Sequence, residues 1–198
     1  MAQEQLLIAG LGNPGPEYRW TWHNLGYRVV EAAASRFKIN FKPGKGEYFA
    51  AEKMVSGRRI MLVKPTSFMN LSGRPLLNIV EREDFFHDQL LIICDDVNLP
   101  LGRIRLRSGG SDGGQKGLAS VIYYLGTEQI PRLRLGIGRE TPPGDLRNYV
   151  LSEISVKEEE IVIHMIEQAA EAVITYIHDG INAAMNRFNT PTIADKAT

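Results

Sequence analysis

His23 is the residue of this 198-residue chain whose type and position best suit chemistry. It lies in a loop beside polar Asn24 and close to Trp20 and Trp22, immediately before a helical pattern begins. The other histidines have plainer settings: His164 and His178 on a long C-terminal helical pattern, His87 in a polar connection. A loop imidazole that gives one ring nitrogen to a carboxylate keeps the other free to take a proton from water. The carboxylate that fits is Asp95, at the end of the apolar run Leu90-Leu91-Ile92-Ile93-Cys94, because sites in open α/β sheets collect at the carboxyl ends of strands. Such a pair makes a general-base hydrolase with water as nucleophile. Spacing alone leaves a structural histidine as the alternative.

Other chemistries fit less well. Asp95 and Asp96 are adjacent on an extended segment and should face opposite ways, and no H-E-x-x-H pattern is present, so no metal site is expected. No G-x-S-x-G elbow occurs, and Cys94, the single cysteine, reads as a small buried hydrophobe. Gly10-Leu11-Gly12-Asn13-Pro14-Gly15 matches the dinucleotide pattern G-x-G-x-x-G, but Pro14, Pro16 and YRWTW keep the chain irregular until about Asn24, where a cofactor site needs a helix at once. No cofactor is therefore expected, and the glycines read as a tight loop presenting the Asn13 amide.

Lys64-Pro65-Thr66-Ser67-Phe68-Met69-Asn70 sets a second amide beside two apolar side chains, suited to a peptide backbone or, more plainly, to a helix cap. The glycine-rich stretch 109–117 offers a row of N–H groups ahead of a helix, an anion-binding arrangement or merely a flexible loop. Arg103, Arg105 and Arg107 share a face by their period of two, and with Arg132 and Arg134 permit a local basic face that would meet phosphates; solvated charge on an edge strand is the alternative.

These groups need a scaffold, and the alternation of strand and helix patterns supplies one. We expect a single domain over 1–198, of α/β class: a three-layer sandwich with a mixed, mostly parallel central sheet flanked by helices. Residues 5–11 read as a strand, Leu25, Val29, Ala33 and Phe37 as one helix face capped by Asn24, and EYFAAEKMV and RRIMLVKP as a hairpin about Ser56-Gly57. LLNIVERE is helical, with Pro75 in the first turn. LLIIC is a buried strand ending abruptly at a surface carboxyl end, Leu118, Val121, Ile122 and Leu125 mark a helix, RLRLGIG a strand, and RETPPGD a loop. Ser155 and Glu158 form a capping box for a long helix that Gly180 ends.

Lys plus Arg equals Asp plus Glu at 23 each, which excludes a global field for holding polyanions. No apolar run approaches the roughly 20 residues of a membrane span, and the opening MAQEQLLIAG lacks the pattern of a signal peptide. A cytoplasmic monomer without membrane contact or obligatory protein partner is the expectation.

The blocks GLGNPGPEYRWTWHNLGY, KPTSFMNLSG, CDDVNLPLGRIRLRSGGSDGGQKGL and RLRLGIGR, in this order, resemble the bacterial-type peptidyl-tRNA hydrolase family over nearly the whole chain. The resemblance implies hydrolysis of the ester joining a peptide to the 3′ end of tRNA. It also implies His23 as base, Asp95 as its orienting carboxylate, and a substrate-binding set of Asn13, Tyr18, Phe68, Met69, Asn70 and Lys116. Arg105, Arg107 and Arg134 fall where the family places tRNA-contacting residues. The chain departs from the family in its glycine loop, where Gln115-Lys116 stands in place of the common His-Asn. Lysine cannot accept a hydrogen bond, so a role as donor or as a charge facing phosphate replaces the amide's. The rival class is a noncatalytic RNA-binding relative, as in organellar splicing factors that this family resembles.

Overall fold

Leu7–Ala9, Ile60–Val63 and Leu90–Cys94 are apolar without alternation and buried throughout, the pattern of strands covered on both faces. Leaving either face open would forgo roughly 1.5–3 kcal/mol for each Leu or Ile, so this pattern demands a helix layer on each side. The computed structural model, which describes residues 5–139 and 144–189, has both layers. Its strands are β1 (Gln5–Gly10), β2 (Lys42–Pro43), β3 (Tyr48–Val55), β4 (Arg58–Pro65), β5 (Leu90–Pro100), β6 (Ile104–Arg107) and β7 (Arg132–Gly138). Its helices are α1 (Leu25–Phe37), α2 (Gly73–Glu83), α3 (Lys116–Leu125), α4 (Leu146–Leu151) and α5 (Val156–Phe188).

The sheet runs β2-β3-β4-β1-β5-β7-β6. Its central four strands, β4, β1, β5 and β7, are parallel, while the flanking pairs β2/β3, β3/β4 and β6/β7 are antiparallel. Ile8, Leu91 and Ile93 face α1 and α5; Leu7, Ala9, Ile92 and Cys94 face α2 and α3. The expected α/β sandwich with a mixed sheet is the fold. The hairpin turns on Ser56 and Gly57, both at positive φ (50° and 83°), the two-residue turn whose twist matches the strands it joins.

Three local expectations change. β5 does not stop at Asp95 but continues to Pro100, with a register shift after Asp96, and both aspartates are buried rather than at the surface because each has a partner. Gly180 breaks α5 at φ 81° without ending it, since Ile181, Ala184, Met185 and Phe188 continue the stripe that packs on the same core. The Ser155 hydroxyl donates to the Glu158 carboxylate, which also accepts from Arg139 at 2.7 Å, in place of a capping box. Of the loop RETPPGD, residues 140–143 lie outside the described residues. Beyond α5, the Asn189 amide pairs with the N–H and C=O of Leu106 at 2.8 and 2.9 Å, filling one place along the open edge of β6 as a neighbouring strand would.

The loop that carries His23 is held between β1 and α1, and Gly10 and Gly26, whose backbones meet, set their spacing. A Cβ at Gly26 would lie 2.5 Å from the carbonyl of Ile93 and from the backbone of Leu11. All three contacts are backbone and cannot yield. We expect Gly26→Ala to cost at least the upper part of the ~1–3 kcal/mol typical of overpacking, measured by urea denaturation; an unchanged midpoint would contradict this packing.

Candidate active site

Local rules first place the loop after β1. Proline at 14 and 16 and a 3₁₀ turn over Pro16–Tyr18 keep the chain irregular, and a second 3₁₀ turn, Trp22–Asn24, aims His23 and Asn24 inward. The first α-helix begins only at Leu25, so the glycines present no helix N-terminus to a pyrophosphate. Asn24 was expected as a cap, but its buried side chain bonds elsewhere. Its Oδ1 accepts from the Asn13 N–H (2.8 Å) and its Nδ2 donates to the Asn13 carbonyl (3.0 Å). Asn13 in turn accepts the Met69 N–H on Oδ1 at 2.8 Å. That bond fixes the amide's orientation and leaves Nδ2 as the donor for the cleft. Trp22, fully buried, packs against Tyr149 at 5.7 Å between ring centroids, and Ile154 N–H donates to Trp20 C=O at 3.0 Å, so α4 is tied to the turn bearing His23.

His23 Nδ1 lies 2.8 Å from Asp95 Oδ2, with both side chains buried. An ionised carboxylate only accepts, so the hydrogen sits on Nδ1 and the lone pair on Nε2 is free. Asp95 Oδ1 accepts from Gln115 Nε2 at 2.9 Å, which uses both carboxylate oxygens. Asp96 points the other way, as alternation requires, and pairs with Arg134 Nε at 2.9 Å. Among the described residues no group of three His, Cys, Asp or Glu could hold a metal ion. Burial pushes the Cys94 thiol far above its ordinary range, which keeps it from acting as a nucleophile.

These groups open on a cleft of about 870 Å³. Every expected substrate residue lines it: Asn13, Tyr18, Phe68, Met69, Asn70 and Lys116. Met69 is buried, Phe68 is 56 % exposed on the rim, and Asn70 and Lys116 are exposed without a protein hydrogen bond or ion pair among the described residues. The sequence reading missed the opposite wall, Leu146, Arg147, Val150 and Leu151, whose one signal was the helical spacing of Leu146 and Val150. It also missed Gln115 as a structural partner of Asp95; a glutamine at the N-cap of an apolar helix, where Ser, Thr, Asp or Asn is usual, was the available sign.

The arginines divide. Arg105 pairs in register with Arg134 and Arg107 with Arg132, so all four stand on one face of the sheet. Arg105 and Arg107 are exposed and without an ion partner among the described residues, whereas Arg134 is half-buried against Asp96. Arg132 is not part of a basic face. It is 1 % exposed, and its guanidinium donates to the carbonyls of Ile130, Gly110, Ser111 and Glu128, pinning the glycine-rich loop from beneath. Burial lowers its pKa from the ordinary value, and the four carbonyls stand in for the water it has lost.

An α/β sheet with a buried His–Asp pair, an oriented amide beside it and an apolar-walled cleft defines a candidate active site. The peptidyl-tRNA hydrolase family model matches residues 7–196. A peptidyl-tRNA hydrolase of Chlorobaculum parvum is 43% identical over 92% of this chain and 97% of its own length, and one of Chlorobium phaeovibrioides is 44% identical over 93% and 98%. The crystal structure of peptidyl-tRNA hydrolase from Acinetobacter baumannii superposes with a TM-score of 0.87 at 30% identity, covering 96% of this chain and 97% of that one. The chain belongs to the peptidyl-tRNA hydrolase family.

The two Asn24 bonds hold the loop that positions Asn13, and no water-exposed route replaces them. Asn24→Ala leaves a buried N–H and C=O unpaired at about 1–3 kcal/mol each. We expect a lower thermal midpoint together with reduced turnover, and a smaller loss of both in Asn24→Asp, which keeps the acceptor; equal behaviour of all three proteins would refute the brace.

Proposed function

We propose that this chain hydrolyses the ester between a peptide and the 3′ oxygen of tRNA, with His23 as the general base. The observation that carries the reading is the His23–Asp95 bond at 2.8 Å, which engages Nδ1 and leaves Nε2 of a cleft-lining ring without a protein partner among the described residues. Nε2 takes a proton from water as its oxygen attacks the ester carbonyl. Asp95 orients the ring and steadies the imidazolium that forms. The tetrahedral oxyanion is met by amide donors, of which Asn13 Nδ2 is the one with a fixed direction. The imidazolium then returns its proton to the departing ribose oxygen, giving a free tRNA 3′-hydroxyl and a peptide acid.

The cleft walls fit the two halves of that substrate. Phe68 and Met69 on one side and Leu146, Val150 and Leu151 on the other suit an apolar peptide segment, while the Asn70 amide offers a donor and an acceptor to its backbone. Tyr18 closes the side nearest His23's loop. Lys116 and Arg147 line the same cleft as charges without carboxylate partners among the described residues, and face the phosphates of the tRNA end. Arg105, Arg107 and the remaining guanidinium N–H groups of Arg134 take the acceptor stem. The chain works as one domain and as a monomer, without a cofactor or an obligatory protein partner, in the cytoplasm; no helix among the described residues is long and apolar enough to cross a membrane.

His23→Ala should lower turnover of an N-blocked aminoacyl-tRNA by ~10²–10⁴ with circular dichroism unchanged. Wild-type release from the blocked substrate but not from its unblocked counterpart is expected; release from neither would favour an RNA-binding protein. For the arginines, Arg105→Ala with Arg107→Ala should raise KM, leave kcat alone, and reduce the slope of log affinity against log salt by about 0.9 for each lost phosphate contact. A fall in kcat instead would place these residues in the chemistry.

A further inference from the structure

We propose that Gln115 is a positioning residue for the His23 reaction: its side-chain amide locks the second oxygen of Asp95 and thereby fixes the tautomer of the base. This rests on the reading of His23 as the base. Three hydrogen bonds carry it. Gln115 Oε1 accepts the Leu118 N–H at 2.7 Å, closing the first turn of α3. An amide held by its oxygen has one orientation, so its Nε2 must donate, and it does so to Asp95 Oδ1 at 2.9 Å, with Met69 Sδ as a further contact at 3.4 Å. Asp95 Oδ2 then serves His23 Nδ1. Gln115 is buried, and its neighbour Gly117 is packed so closely on Met69 Sδ and Leu11 that the start of α3 cannot drift.

The amide is a donor that does not titrate. Where the resembling family commonly carries histidine, this chain holds the Asp95 carboxylate with a group whose hydrogen-bonding sense is the same at every pH. The charged groups around the pair are few. Asp96 is answered by Arg134 on the far side of β5, Lys116 and Arg147 stand at the cleft wall, Tyr18 is a phenol on the loop side, and Cys94 is a buried thiol behind. None of these donates to Asp95, so Gln115 is the one side chain besides His23 that orients it among the described residues.

The test separates this donation from the helix cap. Gln115→Glu keeps both reach and capping oxygen but cannot donate unless it shares a proton with Asp95; Gln115→Ser keeps the cap and cannot reach. Gln115→His restores a ring N–H donor. We expect both the Glu and Ser variants to fold with near-native thermal midpoints and to lose kcat by about 10-fold or more at neutral pH with KM little changed. The Glu variant should recover toward the wild type, compared at the same pH, on acidification, and the His variant should stay close to it. Independently of substrate, NMR of ¹⁵N-histidine-labelled protein should show the Nδ1-protonated tautomer of His23 in the wild type and the His variant, and a mixture in the Glu variant. Folded Glu and Ser variants with wild-type kcat and an unchanged His23 tautomer would overturn the proposal. A fully active His23→Ala would instead overturn the reading of the base, and the NMR result would still decide whether Gln115 orients Asp95.

Discussion

The bond between His23 Nδ1 and Asp95 Oδ2 joins positions 72 residues apart in the chain, and the fold around it serves to make that junction rigid. Asp95 is on β5, the strand between β1 and β7 in the middle of the sheet, which β1 pairs up to Ile93 and β7 pairs through Asp95 itself, so it cannot slide. His23 has no strand to hold it. It is placed by a short 3₁₀ turn, and that turn is fixed from three directions: by Gly26 seated on the β1 backbone, by Asn24 on Asn13, and by Trp22 on Tyr149. A buried carboxylate left without partners would cost several kcal/mol. With both oxygens engaged, the aspartate becomes an anchor rather than a liability.

The same requirement explains the order of hydrogen bonds that radiates from the pair. Asn24 holds Asn13, Asn13 holds Met69, Met69 touches Gln115, and Gln115 returns to Asp95. The ring draws together the loop after β1, the segment between β4 and α2, and the start of α3, three pieces with no strand pairing to one another. Each link uses an amide or backbone group, so its hydrogen bonds have a defined direction. Amides in such a ring cannot flip singly, because each reversal would face donor with donor.

Period and apolar run length were enough to read the sheet, because Leu90–Cys94 and Ile60–Val63 admit few other placements. They were enough for His23 and Asp95 as candidates, but not for their pairing, which depends on where the irregular chain between Gly10 and Leu25 travels. The arginines show the limit most clearly. Alternation correctly puts Arg105 and Arg107 on one face, and sheet register adds Arg132 and Arg134 to it. What alternation does not carry is cover: the glycine-rich loop lies over Arg132 and leaves Arg105 and Arg107 open. Asn24 does not cap α1 because a tertiary partner, the Asn13 backbone, takes its side chain, whereas the Ser155 hydroxyl is taken locally by the Glu158 carboxylate. Gln115 stands out in the sequence only as a departure from the family pattern, because its partner lies 20 residues back on another element.

Charge balance in the cleft follows from these placements and bears on how a polyanion reaches it. The chain has equal acid and base counts, so attraction must be local. The two adjacent carboxylates within β5 are both internally compensated, Asp95 by donors and Asp96 by Arg134. Lys116, Arg147, Arg105 and Arg107 are uncompensated among the described residues. Lys116 and Arg147 thus line the cleft as exposed cations while Asp95 lies buried beneath. Screening at physiological salt acts over ~8 Å, which weakens the exposed arginines far more than the buried pair. Interactions of the exposed arginines and of the buried His23–Asp95 pair thus respond differently to salt, and the separation arises because the sheet puts one set of charges on its outer face and the other in its interior.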